Sequence, residues 1–270
     1  MTGMTWHAGE ALARRIEHAE AVNSAACGEG HPGFAVEWFG GGCAVFAGSG
    51  SPLTHAVGVG MDAVPARGYL EGIEEFFLRR GALPVIELCP LADPGFVQEI
   101  GENAYRVTEF NNMLARRLDD AAPPPAMEVR EALSHEGDAW ASLLARGFLE
   151  RDDVTPDELL VAQVLFRMPV SLCYWALVDG EPVAAAAMSV HQGVALLFAD
   201  GTPVAWRRRG AQQALVAARL ERARAQGCDL AAASTLPGSG SQRNYERMGF
   251  RMCYTKVVLT ADRPTGSSLI

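Results

Sequence analysis

Three consecutive prolines, Pro123-Pro124-Pro125, follow Asp119-Asp120-Ala121-Ala122 near the middle of a 270-residue chain. Proline fixes φ and has no backbone N–H, so neither a helix nor an interior strand can run through this stretch, which reads as an extended spacer. The chain is therefore expected to fold as two domains, residues 1–122 and 123–270, each of ordinary size. With 49% hydrophobic and 20% charged residues, there is enough apolar material for a core in both.

The net charge of −9 is uneven: residues 1–122 hold 8 Arg and 16 Asp/Glu, whereas 123–270 hold 15 Lys/Arg and 16 Asp/Glu. Such a balance argues against a broad nucleic-acid surface, which needs many cations on phosphates. An acidic first half can attract cationic substrates or simply keep the chain soluble. No apolar run approaches the roughly 18 residues of a membrane span, and Met1–Trp6 lacks the basic and apolar regions of a signal peptide. The expectation is a cytoplasmic protein without a membrane partner. Cys27, Cys43, Cys89, Cys173, Cys228 and Cys253 lack the paired spacing of a zinc site and the density of a disulfide scaffold, so free thiols and no metal are expected.

Apolar periodicity then orders each half. The first reads as a helix at 9–22, strands at 34–46 and 54–59, and a helix at 67–80 with Tyr69, Ile73, Phe76 and Phe77 on one stripe. A strand at 85–88, a short helix at 94–100 and a strand from Tyr105 complete it. The second half opens with a strand at 128–132, a helix at 137–149, and a helix that Thr155 caps with Pro156 in its first turn. Next come a hairpin, 171–178 and 183–190, around Asp179-Gly180, and a strand at 194–202. In the helix from Ala211, Gln212, Arg219, Arg222 and Gln226 form a polar face, leaving Ala214, Ala217, Leu220 and Ala223 opposite. Gly227 stops that helix, and a strand at 230–234, a short helix at 242–248 and a strand at 250–259 close the chain. Hairpin, loop, helix, strand, short helix and strand thus recur in both halves, an α/β pattern with the mark of an internal duplication.

Arg207-Arg208-Arg209-Gly210 enters the helix at Ala211. A helix N-terminus is already electropositive, so each cation there costs on the order of 0.3–1 kcal/mol unless an anion answers it. The first-turn N–H groups have no helical partners, and Gly210 lets a ligand approach the main chain, so the segment reads as a phosphate cradle. The bland alternative is a solvated arginine surface. The matching entrance in the first half, Val64-Pro65-Ala66-Arg67-Gly68-Tyr69, has one arginine and reads as degenerate. A Walker loop would need lysine after the glycine and a dinucleotide fingerprint would need Gly-x-Gly-x-x-Gly; neither is present.

Arg207-Arg208-Arg209-Gly210-Ala211-Gln212, the alanine-rich helix after it, and Asn244-Tyr245-Glu246-Arg247-Met248-Gly249-Phe250 together resemble the GNAT superfamily of acyl-CoA-dependent N-acetyltransferases. The likeness runs from Met127 onward. It implies tandem GNAT-like domains, each a mixed, centrally splayed sheet flanked by helices, the first degenerate and the second using acetyl-CoA as co-substrate. It further implies that the pyrophosphate lies on Arg207, Arg208, Arg209, Gly210, Ala211, Gln212 and Gln213, and the pantetheine arm along Gly201, Thr202 and Val204. A main-chain N–H at the same strand end would polarise the thioester carbonyl. Tyr245 would protonate the leaving thiolate, its alternative being a packed structural tyrosine.

Direct transfer to a primary amine is implied, on a small molecule or a peptide, with Asp200, His191 or Glu150 as candidate bases. Two departures stand out: Gln212 replaces the small residue that closes the loop, and Gly238 falls where many members carry asparagine. A non-catalytic acyl-CoA-binding or regulatory module and a nucleotide-phosphate binder are the competing readings. A homodimer is left open.

Overall fold

Among the described residues no helix or strand crosses the proline stretch. The computed structural model describes residues 9–28, 31–62, 64, 68–121 and 123–262. In chain order the elements are α1 (Glu10–Gly28), β1 (Ala35–Phe39), β2 (Gly42–Phe46), β3 (His55–Val57), α2 (Tyr69–Leu78), β4 (Val85–Leu88), α3 (Pro94–Glu102) and β5 (Tyr105–Arg117). There follow β6 (Glu128–Glu131), α4 (Gly137–Leu149), α5 (Pro156–Arg167), β7 (Leu172–Val178), β8 (Glu181–His191), β9 (Val194–Gly201), α6 (Ala211–Ala225), β10 (Leu230–Thr235), α7 (Gly240–Arg247) and β11 (Arg251–Ala261).

Two compact units result, and they do not divide at the prolines. The first takes residues up to Gly28, Pro32–Met113 and everything from Met252; the second takes Leu114–Arg251. The closing strand, expected in the second half, thus belongs to the first unit. There β11 pairs antiparallel with β4, Val257 opposite Leu88, Val258 opposite Glu87 and Leu259 opposite Ile86. An apolar strand advertises that it needs a neighbour; nothing local in its sequence says which.

The first unit's strands lie in the order β1-β2-β3-β4-β11-β5. Gly40 and Gly41 fold what reads as one strand at 34–46 into the β1–β2 hairpin, with Phe39 opposite Gly42. Ala21 and Ala25 of α1 pack on Cys43, Val45 and Val57. The stripe expected on the second helix is buried: Tyr69, Ile73, Phe76 and Phe77 all face inward on α2. Gly68 caps α2 at φ 78° with no side-chain cap. Residues 65–67, including Arg67 of the degenerate entrance, lie outside the described residues.

Lys256, the only lysine in the chain, is fully buried on β11. It pairs with Glu17 at 3.2 Å, with Glu87 at 3.4 Å and with Glu20, while Tyr254 donates to Glu17 Oε1 at 2.8 Å. Burial pushes the Glu20 carboxyl up to about 7 against the pull of Lys256, and it pushes Glu17 up as well. Burial also opposes ionisation of Glu87, but Lys256 and His55 outweigh it and hold that carboxyl below its ordinary value.

The segments that leave β3 and β4 are tied together. Asp93 N–H donates to Gly60 O at 2.7 Å, and Gly60 N–H donates at 3.0 Å to the Tyr69 hydroxyl, which itself donates to Phe39 O at 2.9 Å. The Tyr69 and Phe96 rings meet edge to face at 5.0 Å. A Cβ on Gly60 would lie 2.5 Å from the Phe96 ring, so aromatic side chains fill this place.

In the second unit the order is β5-β10-β9-β8-β7-β6. Adjacent strands from β6 to β9 are antiparallel, whereas β9 and β10 are parallel. Side chains alternate along β7: Cys173, Trp175 and Leu177 pack with Trp140 and Leu144 of α4, while Tyr174 and Ala176 pack with Leu215 and Leu220 of α6. Helices on both faces explain why β7 and β8 are apolar almost throughout. Thr155 and Glu158 cap α5 reciprocally, each side chain accepting from the other's backbone N–H, at 3.4 and 2.9 Å.

Candidate active site

Strands β9 and β10 are in register only from Val194 to Leu196, opposite Leu230 to Ala232. Beyond that both continue, β9 to Gly201 and β10 to Thr235, with no further pairing between them, so the sheet opens there. On its other side β9 carries a bulge. Ala187 faces Phe198 but Ala185 faces Gly201, which leaves Ala199 and Asp200 opposite Ala186 alone. Ala199 has φ 55°, an uncommon left-handed conformation for alanine. The end of β9 is clasped by α4: a Cβ on Gly147 would lie 2.5 Å from Thr202 N, and one on Gly201 would lie 2.7 Å from Leu144 O.

From β9 a short 3-10 turn, Val204–Trp206, leads to Arg207 and then to Gly210, the N-cap of α6. Gly210 is left-handed, φ 86°, with no side-chain cap on the helix and open space where a Cβ would stand. The first helical bond is Ala214 N–H to Gly210 O, 3.0 Å, so the N–H groups of Ala211, Gln212 and Gln213 have no partner within the helix. An anionic group fits this cradle, and Arg208 and Arg209 are exposed beside it.

The three arginines do not act alike. Arg207 is committed to the fold: Nε donates to Thr202 O at 3.0 Å and Nη2 to Gly147 O at 2.9 Å, while Nη1 pairs with Glu150 at 2.8 Å. Arg209 stacks its guanidinium 4.6 Å from the Trp206 ring centroid. Arg208 sits at φ 62°. Gln212 is also spent, donating to Ser241 Oγ at 2.8 Å and accepting from Asn244 Nδ2 at 2.6 Å, which ties α6 to α7. Val204 is exposed, and Gly238 N–H donates to Gln242 Oε1 at 2.7 Å.

Asp200 and Tyr245 come together. The Tyr245 hydroxyl donates to Asp200 Oδ2, and Asp200 Oδ1 accepts from Arg219 Nη2. Arg219, expected on the solvent face of its helix, is fully buried. It also donates to Ala187 O at 2.7 Å, Phe198 O at 3.3 Å and Leu215 O at 3.1 Å. Burial opposes the charge on Arg219, but the Asp200 carboxylate outweighs it and raises the guanidinium above its ordinary value. Burial and the same charge push the Tyr245 phenol far upward, so it stays protonated. Its ring packs edge to face on Phe250 at 4.9 Å.

The other two candidate bases fare differently. Glu150, at φ 60° past the end of α4, is drawn to the loop by Arg207. His191 pairs with Val194, the first residue of β9, so it stands about 20 Å along the strand from Asp200 and does not join the site. Sequence reasoning missed the bulge, Arg219 and the clasp at Gly147. Only the clasp left a readable signal, a glycine inside a helix where alanine would be the better helix former.

Among the described residues no cluster of three or more His, Cys, Asp or Glu could hold a metal, and no helix is long and apolar enough to cross a membrane. None of the six cysteines is joined in a disulfide.

Two parallel strands that part toward the uncapped mouth of a helix, reached through a basic turn, define an α/β fold with a splayed central sheet. Residues 137–250 match the family model described as the acetyltransferase (GNAT) family. Among solved structures, a GCN5-related N-acetyltransferase from Kribbella flavida superposes with a TM-score of 0.68 at 21% identity, over 93% of this chain and 96% of its own. A tandem GNAT protein from the clavulanic acid biosynthesis pathway gives 0.58 at 15% identity, with 94% of each chain covered. A GCN5-related N-acetyltransferase from Sphaerobacter thermophilus gives 0.55 at 15%, over 81% of this chain and 72% of its own. At these identities the likeness is one of fold, and it bears out a tandem architecture. Comparison with curated proteins finds no match to the sequence.

Proposed function

We propose that the second unit moves an acetyl group directly from acetyl-CoA to a primary amine of a small molecule or peptide. The observation that carries this reading is the uncapped N-terminus of α6, open at Gly210 and flanked by Arg208 and Arg209, at the end of the strand that parts from β10. In this reading the donor's pyrophosphate rests on N–H groups between Arg208 and Gln213. Its thiol-bearing arm follows the edge that β9 frees at Gly201 and Thr202, towards Val204. A backbone N–H of the β9 bulge polarises the thioester carbonyl.

The proton balance uses the Asp200–Tyr245 contact. Asp200 accepts the proton that the attacking amine must lose, and Tyr245 gives its own to the departing thiolate. A proton then crosses the hydrogen bond from Asp200 to the phenolate, restoring the resting pair. Burial and the Asp200 charge keep the Tyr245 phenol protonated in the resting enzyme, so its proton is present when the thiolate departs. The first unit is assigned no donor site, since Gly60, Tyr69 and Phe96 occupy the corresponding place.

Thermal unfolding with coenzyme A, acetyl-CoA or ATP tests the reading. A ligand at 100 times its dissociation constant adds about 2.7 kcal/mol of stability. Acetyl-CoA should stabilise the wild type, and Gly210→Glu should remove the effect by placing a carboxylate in the cradle. No shift with any CoA species sinks the proposal, and a shift with ATP alone favours a nucleotide binder. Release of free thiol with a panel of amines then separates transfer from mere binding. Tyr245→Phe should lower kcat by about 10²–10⁴ while leaving acetyl-CoA affinity intact.

A further inference from the structure

We infer that Arg219 holds β9 in its bulged form, its guanidinium replacing strand-to-strand hydrogen bonds that the extra residue removes. The catalytic consequence rests on the acyl-transfer reading above; the structural claim does not.

A bulge leaves buried main-chain groups beside it without ladder partners, and such groups must be satisfied some other way. Here one side chain reaches both sides of the extra residue. Arg219 donates to Phe198 O just before Ala199 and to the Asp200 carboxylate just after it. Across the ladder it donates to Ala187 O, whose residue forms the last regular pair before the register slips. Donors on all three guanidinium nitrogens are used, Nε being anchored on Leu215 O within α6.

A simple ion pair with Asp200 would not require this. Two charges alone gain little from burial, and an apolar pair would serve as well. Bonds to two carbonyls of facing strands, in contrast, place the guanidinium at the edge of the break in the ladder. The neighbourhood is cut to fit, because Ala184 and Ala186 on the α6 face of β8 and Ala217 on α6 are small and buried. Lysine could not substitute, since a single ammonium lacks the planar fork that spans three acceptors. Arg219 is thus a positioning residue: it acts on the donor through the Ala199–Asp200 backbone, which it keeps turned out of the β8 ladder.

The test is a stability cycle in the full chain with Arg219→Met, deletion of Ala199, and the two combined. Arg219→Met should lower Tm by at least about 5 °C. Deleting the extra residue should restore the ladder, so the double variant should recover at least about half of that loss. If Arg219→Met does not fold, a cooperative transition in the double variant supports the inference. Losses that simply add, or a double variant that stays unfolded, overturn it.

A second readout is one that a purely structural arginine would not move. Acetyl-CoA labelled with carbon-13 at the thioester carbonyl should show a downfield resonance when bound to the wild type. Arg219→Lys should retain binding and lose that displacement. A wild-type carbonyl resonance in bound Arg219→Lys overturns the positioning role. If the wild type itself binds no acetyl-CoA, the donor-site reading falls while the stability cycle still judges Arg219.

Discussion

Replacing Glu20 by glutamine removes one carboxylate from around Lys256 while keeping its shape. One ammonium on β11 faces Glu17 and Glu20 from α1 and Glu87 from β4, with His55 of β3 4.0 Å from Glu87 and Tyr254 donating to Glu17. Fully ionised carboxylates would outnumber the ammonium by two. Burial first, and the Glu17 and Glu87 charges after it, keep a proton on Glu20 up to about pH 7 despite Lys256, whereas the unfolded chain releases it near 4.5.

Between those values the folded protein binds more protons than the unfolded one. The stability contributed by protonated Glu20 is therefore complete below pH 4.5 and is lost as pH rises through about 7. At about 1.4 kcal/mol per pH unit the interval corresponds to about 3 kcal/mol, an upper value because the side chain is 17% exposed. Glutamine does not titrate. Urea unfolding of wild type and Glu20→Gln from roughly pH 5 to pH 8 should show the difference shifting in favour of the variant by up to about 3 kcal/mol. A difference that stays constant with pH refutes the account. Glu87→Gln should behave oppositely and destabilise the protein at neutral pH, because Glu87 is held below its ordinary value.

Two further outcomes follow from the geometry. Gly147→Ala places a Cβ 2.5 Å from Thr202 N; overpacking of about 1–3 kcal/mol should exceed the gain of about 1 kcal/mol in helix propensity, lowering Tm and weakening acetyl-CoA binding by calorimetry. Calorimetry should also return one acetyl-CoA per chain, because Asp93, Tyr69 and Phe96 close on Gly60 in the first unit, and a stoichiometry of two would contradict that closure.

Elements whose character is local were legible in the sequence. The helix at Gly137–Leu149 and the strand at Val85–Leu88 carry their own periodicity, and both appear with the expected bounds. The uncapped helix entrance was legible too, because Gly210 and its arginines are contiguous. Arg219 was not. A buried arginine recurs with the same 3.6-residue period as an exposed one, and only the strands across from α6 reveal which it is. Arg207 likewise looks like its two neighbours until Gly147 and Thr202 arrive from elsewhere in the chain. The β9 bulge depends on register with β8, a relation between strands that neither strand states alone.

The placement of β11 sets an order of events during synthesis. Almost all of the second unit lies within residues 114–251, yet in the first unit β4 lacks one of its two neighbours until residues 252–261 have been made. The N-terminal part of the chain therefore cannot finish first, as it usually does. Until then Glu17, Glu20 and Glu87 have no Lys256 to neutralise them. Emergence of one strand near the end supplies both the missing backbone ladder and the missing cation, so it acts as the latch that commits the earlier half to its final form.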